Sequence, residues 1–135
     1  MNRLPFFIKG YDRFMLPNTD VTRRRIPQRP RKPGQHVTAV EKMQGLKKGD
    51  HQVVWGEIRV VSLEHEPLGD IITRPYRNSQ VSEVEREGFP EMTPEEFVEM
   101  VIGHYGRKSM DEDTMIERIQ YVHVKPENQR TFTTD

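Results

Sequence analysis

Three prolines spaced three residues apart interrupt residues 26–34, IPQRPRKPG. Each proline fixes its φ angle and lacks a backbone N–H, so this segment can form neither a helix nor a central strand. The sequence therefore predicts a stiff, extended loop that ends in a Pro-Gly turn. Six cations lie on this loop or just before it: Arg23, Arg24, Arg25, Arg29, Arg31 and Lys32. A disordered tail, a nucleic-acid-binding arm and one wall of a binding cleft would each show such a pattern.

Length and composition limit the class of protein. The chain has 135 residues, of which 33% are hydrophobic and 31% charged, which predicts one domain over residues 1–125 and a frayed tail over 126–135. Cysteine is absent, which excludes disulfides, thiol nucleophiles and cysteine-ligated zinc. The apolar patch LPFFI is too short for a signal peptide, and no run approaches the ~20 apolar residues of a membrane span. We expect a cytoplasmic protein without membrane association.

The charges are balanced over the whole chain but unevenly distributed along it. Residues 1–34 hold nine lysines and arginines against two acidic residues, and residues 83–117 hold eleven acidic residues against three basic ones. The two segments can pair with each other or face different partners. A solvated surface on which the charges balance across the fold explains the same distribution.

Five strands are predicted from the hydrophobic patterning. They lie within residues 5–16, 21–25, 35–43, 51–71 and 111–126, and a hairpin loop is expected at 44–50. A short helical or irregular piece follows the first strand, and Gly56 in the longest one predicts a bulge or a sharp bend.

Two helices are predicted between the last two strands. The first lies within residues 79–88, with Ser79 or Ser82 as its cap, Ser82 and Glu85 as a capping box, and Gly88 as its stop. The second begins at the N-cap Thr93, with Pro94 at its first position and Glu96 closing a capping box. This order of elements predicts an α+β fold, in which two or three helices pack on a small, mostly antiparallel β-barrel.

Familiar catalytic motifs are missing. The sequence contains no HExxH, GxSxG, GxxxxGK[ST] or GxGxxG, so zinc-protease, serine-nucleophile, P-loop and dinucleotide sites have no support. The five histidines lack the spacing of a zinc cage, and we expect no metal and no cofactor. Trp55, the only tryptophan, is typical of a core residue, and stacking on a nucleobase is the alternative.

The consecutive arginines pose a question of orientation. In a strand Arg23 and Arg25 share one face and Arg24 lies on the other. An arginine that points inward needs a carboxylate or an anionic ligand, because an unpaired buried charge is costly. If Arg23 and Arg25 face solvent, Arg24 points inward, and Glu85 or Glu87 could supply its partner in a structural salt bridge. Arginines that point outward would instead grip phosphate with their planar, two-pronged guanidinium groups.

Several of these features occur in one order. A Thr-Arg-Arg element at 22–24, a Lys-Pro-Gly turn at 32–34, a hairpin, EREGF at 85–89, TPEEFVEMV at 93–101 and a final strand follow one another. Over residues 5–124 this order resembles the ASCH domain, a β-barrel family related to the PUA RNA-binding fold. The resemblance implies a PUA-like barrel with a ligand cleft.

The resemblance also points to cleft residues. Family members typically carry Gly-x-Lys-Thr-x-Thr-x-Arg, and the corresponding stretch here, 17–24, keeps the second threonine as Thr22 and the arginine as Arg24. The glycine, the lysine and the first threonine are replaced. The cleft carboxylate of the family falls on Glu87, and Lys9 is a lysine that could reach the cleft from the first strand.

Three functions follow as expectations. The first is a non-catalytic module that binds RNA or a nucleotide, in which Thr22, Arg24 and Glu87 meet the base or sugar. Its phosphate contacts would be Arg23, Arg25, Arg29, Arg31 and Lys32. The second, implied by the family, is a hydrolase of a modified nucleoside such as acetylcytidine, or a ribonuclease, with Thr22 and Glu87 as catalytic residues. The third is a protein-interaction module whose basic arm pairs with an acidic partner.

Overall fold

The computed structural model describes residues 3–41 and 53–124. Its strands are β1 Arg3–Phe6, β2 Val21–Arg24, β3 His36–Glu41, β4 Val54–Pro67 and β5 Met115–His123. Its helices are α1 Tyr11–Phe14, α2 Asp70–Thr73, α3 Glu83–Arg86 and α4 Pro94–Tyr105. The predicted α+β class is confirmed. The predicted hairpin loop at 44–50 and the tail at 126–135 lie outside the described residues.

The five strands form one sheet in the order β1-β3-β4-β5-β2. Strands β1 and β3 are parallel, and the other three pairings are antiparallel, so the mostly antiparallel character is confirmed. Within residues 3–41 and 53–124, β1 and β2 are the two edges and no ladder joins them. Closure of the sheet into a barrel is therefore not confirmed.

Strand β4 connects the two halves of the sheet. Its first part pairs with β3, and its second part pairs with β5. The register shifts once opposite Ala39 and Val40, beside Gly56, and once between Val60 and Ser62. Gly56 has a φ of 147°, which favours glycine. The bulge predicted at Gly56 is confirmed, and bulges of this kind bend a strand and increase its twist.

The helix ends follow local sequence signals. Thr93 accepts a hydrogen bond from the Glu96 backbone, and the Glu96 side chain accepts one from the Thr93 backbone, so the predicted capping box is present. The Ser82 side chain caps α3 by accepting a hydrogen bond from the Glu85 backbone N–H, without a reciprocal bond to the Glu85 side chain within the described part of the chain. Gly88 follows α3 at a φ of 97°, and a Cβ there would lie 3.1 Å from the Arg13 carbonyl oxygen. Glycine is therefore required at this turn on both conformational and steric grounds.

Helix α2 was not predicted. The apolar run extended the expected strand through Ile71, whereas β4 ends at Pro67 and one helical turn begins at Asp70. Ile71 is fully buried in this turn. The strand was predicted too long because a short apolar run has the same pattern in a strand and in a single helical turn.

Buried apolar residues form two clusters. The helix cluster packs α4 against α2, α3 and the end of the sheet, and comprises Leu68, Ile71, Val84, Phe89, Phe97, Val98, Val101, Ile102, Met110 and Ile116. The sheet cluster comprises Leu4, Phe6, Phe14, Val37, Ala39, Ile58, Val60, Ile119 and Tyr121, with Trp55 and Leu63 partly buried against it. Charged side chains are buried as well, and they mark the candidate site.

Candidate functional site

A small recess lies where the two apolar clusters meet. Phe6 of the sheet cluster lines it together with Phe89 and Phe97 of the helix cluster. Its polar lining includes Lys9 after β1, Thr22 on β2 and Glu87 at the C-cap of α3. The recess has a volume of about 20 Å³, enough for one water molecule or a small chemical group.

Lys9 and Glu87 form a buried pair in this recess. The Lys9 Nζ donates a hydrogen bond of 3.0 Å to the Val21 carbonyl oxygen and lies 3.8 Å from Glu87 Oε1. Burial lowers the pKa of Lys9 to about 8, although the negative charge of Glu87 opposes this shift. Burial also raises the pKa of Glu87, against the opposing charges of Lys9 and Arg23. Both groups are thus shifted toward their neutral forms, which is typical of groups that exchange protons at near-neutral pH.

The titration of Lys9 provides a direct check of this pair. We expect the Lys9 ammonium to titrate with a midpoint near pH 8, well below the ~10.4 of a lysine in a model peptide. Glu87→Gln is expected to lower the midpoint further, because it removes the charge that favours the ammonium form. NMR of the lysine side-chain amines in wild type and Glu87→Gln measures both values. An unchanged midpoint in the variant would contradict the pairing.

Arg23 lies in the interior between carboxylates. Its side chain is fully buried, with Nη2 2.5 Å from Glu83 Oε1 and 3.4 Å from Glu66 Oε2, and Nη1 donating to Glu87 Oε2 at 2.9 Å. The inward arginine that pairs with Glu87 is therefore Arg23 and not Arg24, for which this salt bridge was predicted. Glu85 accepts a hydrogen bond from Asn18 instead. The face of β2 that carries Arg23 turns inward, and its carboxylate partners take up the guanidinium that was expected to contact phosphate.

Glu83 is the centre of this buried charged network. Arg118 donates to both of its carboxylate oxygens at 2.8 and 3.0 Å, and Arg86 donates to it at 3.3 Å. Burial by itself raises the pKa of Glu83, but the hydrogen bonds from Arg118 and the charge of Arg23 lower it to about 2. The network fixes α3, and with it Glu87, against strands β2 and β5.

A larger groove adjoins the recess. Phe7, Arg24 and Tyr105 line both spaces, and the groove has a volume of about 530 Å³, within the range of small-molecule sites. Its full lining consists of Pro5, Phe7, Arg24, Arg25, Pro27, Arg31, His104 and Tyr105. Among the described residues this lining contains three arginines and three aromatic rings but no carboxylate.

Arg24 occupies the junction of the groove and the recess. Its Nη2 donates to the Pro5 carbonyl oxygen, and its Nη1 is buried without a hydrogen-bond partner in the described part of the chain. Burial and the nearby charge of Arg31 lower the pKa of Arg24 to about 10, so it remains a cation at neutral pH. Buried polar nitrogens are usually hydrogen-bonded. Several described side chains have such an atom without a partner, and Arg24 is the one among them that lines both the groove and the recess.

The other predicted residues separate into two groups. Arg25 and Arg31 line the groove, and the Arg25 guanidinium stacks 4.6 Å from the centre of the Tyr105 ring. Arg29 and Lys32 are exposed and do not line it. The loop therefore contributes only part of its charge to the groove. Phosphate contacts by these residues stay a prediction.

Phe7, His104 and Tyr105 were not among the predicted site residues, and Lys9 was considered only as a lysine that could reach the cleft. Phe7 and Lys9 follow an edge strand, and His104 and Tyr105 end the long helix. The segment after β1 and the end of α4 come together only through the pairing of β1 with β3 and the packing of α4 on the sheet. Little in the sequence indicated that these residues belong to a site, since aromatic residues at such positions usually pack in a core.

Across residues 3–41 and 53–124, no helix is long and apolar enough to cross a membrane. In the same residues no group of three or more histidine, aspartate or glutamate side chains is arranged to hold a metal ion. The site consists of arginine, lysine, hydroxyl, carboxylate and aromatic groups.

The structure is similar to a solved structure, although the sequence matches no known family. No protein-family model and no curated protein matches the chain. The structure is similar to that of protein EF3133 from Enterococcus faecalis V583, described with the family name DUF984, with a TM-score of 0.48 and 13% sequence identity. The match covers 87% of this chain and 69% of that chain. What this protein binds has to be deduced from its own groove and recess.

Proposed function

We propose that the protein binds a nucleotide or a short single-stranded RNA segment in the groove. The observation that carries this proposal is the lining, in which Arg24, Arg25 and Arg31 lie beside Phe7 and Tyr105 with no carboxylate in the described part of the groove. Guanidinium groups bind phosphate in two-pronged geometry, and aromatic rings stack on bases. The resemblance of the sequence to the ASCH family and its PUA-like barrel supports the same class of ligand.

The charge distribution supports binding by local attraction. The whole chain is neutral, but affinity for nucleic acid depends on the local patch. Contacts with phosphates make binding salt-dependent, and for single strands the slope of log K against log salt is about −0.7 per phosphate neutralised. The groove can neutralise two or three phosphate charges, so we expect a moderate slope.

Fluorescence anisotropy with a labelled single-stranded RNA at two salt concentrations tests this proposal. Wild-type binding is expected to weaken with salt, and a variant with Arg25→Gln and Arg31→Gln to bind more weakly with a shallower slope. The matched control carries Arg29→Gln and Lys32→Gln, which removes two charges of the same loop outside the groove. Binding that is absent, insensitive to salt or equally weakened in both variants would refute groove binding.

A second candidate function is hydrolysis of a modified nucleoside. The observation that favours it is the position of Lys9, which brings an amine within 3.8 Å of Glu87 in the recess that Thr22 also lines. The ASCH resemblance implies a lysine, a threonine and a glutamate acting together, and here Lys9 could replace the missing lysine from the segment that follows β1. Glu87 would act as a general base on a water molecule, for which the recess has room.

Turnover of acetylcytidine distinguishes the two candidates. If the recess is catalytic, deacetylation is expected in wild type and is expected to fall by about two or more orders of magnitude in Glu87→Gln and in Lys9→Met. Ligand binding in the groove with no turnover at high protein concentration would reject hydrolysis of this substrate and leave the binding module.

A further inference from the structure

The groove contains more positive charge than one internal phosphate of a strand can balance. Three guanidinium groups and no carboxylate line its described part. Glu117 and Glu87, the carboxylates whose charges act on Arg24, are buried outside this lining. A phosphodiester carries one negative charge, whereas a phosphate monoester carries nearly two and offers three oxygens.

Two of the guanidinium groups have buried nitrogens without partners. These are Nη1 of Arg24 and Nε of Arg31, for which no hydrogen bond exists within the described residues. The remaining bonds of both side chains go to backbone carbonyl oxygens, from Arg24 to Pro5 and from Arg31 to Arg3. Among residues 3–41 and 53–124 no carboxylate forms an ion pair with either side chain, in contrast to Arg23. A buried guanidinium group without a carboxylate partner is energetically costly unless a bound anion neutralises it.

The position of Arg24 limits which part of a ligand can reach it. Arg24 lines both the groove and the recess, and the recess beyond it has a volume of only about 20 Å³. A nucleotide cannot continue into that space. A phosphate bound to Arg24 on the side of the recess therefore cannot be followed by a further nucleotide within the recess.

Resting on the proposed function, we infer that the groove binds the terminal phosphate monoester of its ligand, with Arg24 and Arg31 as the phosphate contacts. Two ligands present this group, a free mononucleotide and an RNA strand with a phosphorylated end. An unphosphorylated nucleoside lacks the anion that Arg24 and Arg31 require. Charge-assisted bonds from two arginines account for a preference of about tenfold or more for the phosphorylated form.

The test uses one short RNA sequence in three forms, with a 5′-phosphate, a 3′-phosphate or hydroxyls at both ends, together with cytidine and cytidine 5′-monophosphate. Titration calorimetry with the full-length protein measures each affinity. We expect at least one phosphorylated end to bind about tenfold or more tightly than the hydroxyl form. A mononucleotide as tight as the strand identifies free nucleotides as the source of the phosphate, and a weaker one identifies strand ends.

The variants Arg31→Gln and Arg29→Gln provide the matched comparison. Arg31→Gln is expected to abolish the preference for a phosphorylated end, and Arg29→Gln to retain it, with both proteins folded by circular dichroism. Equal affinity for phosphorylated and hydroxyl ends would overturn the inference while leaving groove binding intact. No binding of any RNA, nucleotide or nucleoside would overturn the proposed function itself.

Discussion

Arg23→Gln is expected to lower the free energy of unfolding by about 3–5 kcal/mol, the usual cost of breaking a buried ion pair from one side. The Arg23 side chain is fully buried and lies within 3.4 Å of Glu66, Glu83 and Glu87. Glutamine can donate to one of these carboxylates but cannot neutralise them. Their mutual repulsion in a poorly solvated interior then opposes folding.

The control for this substitution is Arg29→Gln. Arg29 is exposed on the proline-containing loop, and surface substitutions of this kind usually change stability by about 0.5 kcal/mol or less. Urea denaturation of both variants beside wild type measures the difference. A loss of stability in Arg23→Gln no larger than in Arg29→Gln would show that Arg23 is not held by the buried carboxylates.

The second large effect is a loss of stability in acid that depends on Glu83. Its pKa is about 2 in the folded protein, against 4.5 for an ordinary glutamate. Between these values the unfolded chain binds more protons, so the contribution of Glu83 is complete above pH 4.5 and is lost as the pH falls toward 2. Since one pKa unit is worth about 1.4 kcal/mol, the contribution is on the order of 3 kcal/mol.

Comparison with Glu83→Gln isolates this contribution from those of other carboxylates. The variant is expected to be several kcal/mol less stable than wild type at about pH 6, and the difference is expected to narrow at about pH 3. Glu85→Gln, on the same helical turn, is expected to show a small difference from wild type at both pH values. If the difference in free energy of unfolding between wild type and Glu83→Gln stayed constant with pH, it would contradict the lowered pKa of Glu83.

The three consecutive arginines have different structural roles. Arg23 neutralises buried carboxylates, Arg24 lies where the groove meets the recess, and Arg25 stacks on Tyr105 at the groove wall. The proline loop then brings Arg31 to the same groove and leaves Arg29 and Lys32 exposed. The basic segment is thus partly a folding element and partly a candidate anion site.

Local features were predictable from the sequence because their causes are local. The caps at Thr93 and Ser82, the bulge at Gly56 and the irregular proline segment each depend on a few neighbouring residues. The inward orientation of Arg23 depends on which face of β2 meets α3. The meeting of Lys9 with Glu87 depends on contacts between residues 78 positions apart, which no local pattern encodes. Closure of the sheet depends on long-range pairing in the same way.

NMR mapping of bound RNA tests the central claim most directly. Titration of ¹⁵N-labelled protein with a short 5′-phosphorylated single-stranded RNA is predicted to shift the backbone signals of Phe7, Arg24, Arg25, His104 and Tyr105. A second arginine-lined cavity, which includes Arg74, Tyr76 and Arg77 but also Glu64, provides the internal comparison and is predicted to stay unperturbed. Shifts confined to that second cavity, or no shifts at saturating RNA, would contradict binding in the groove.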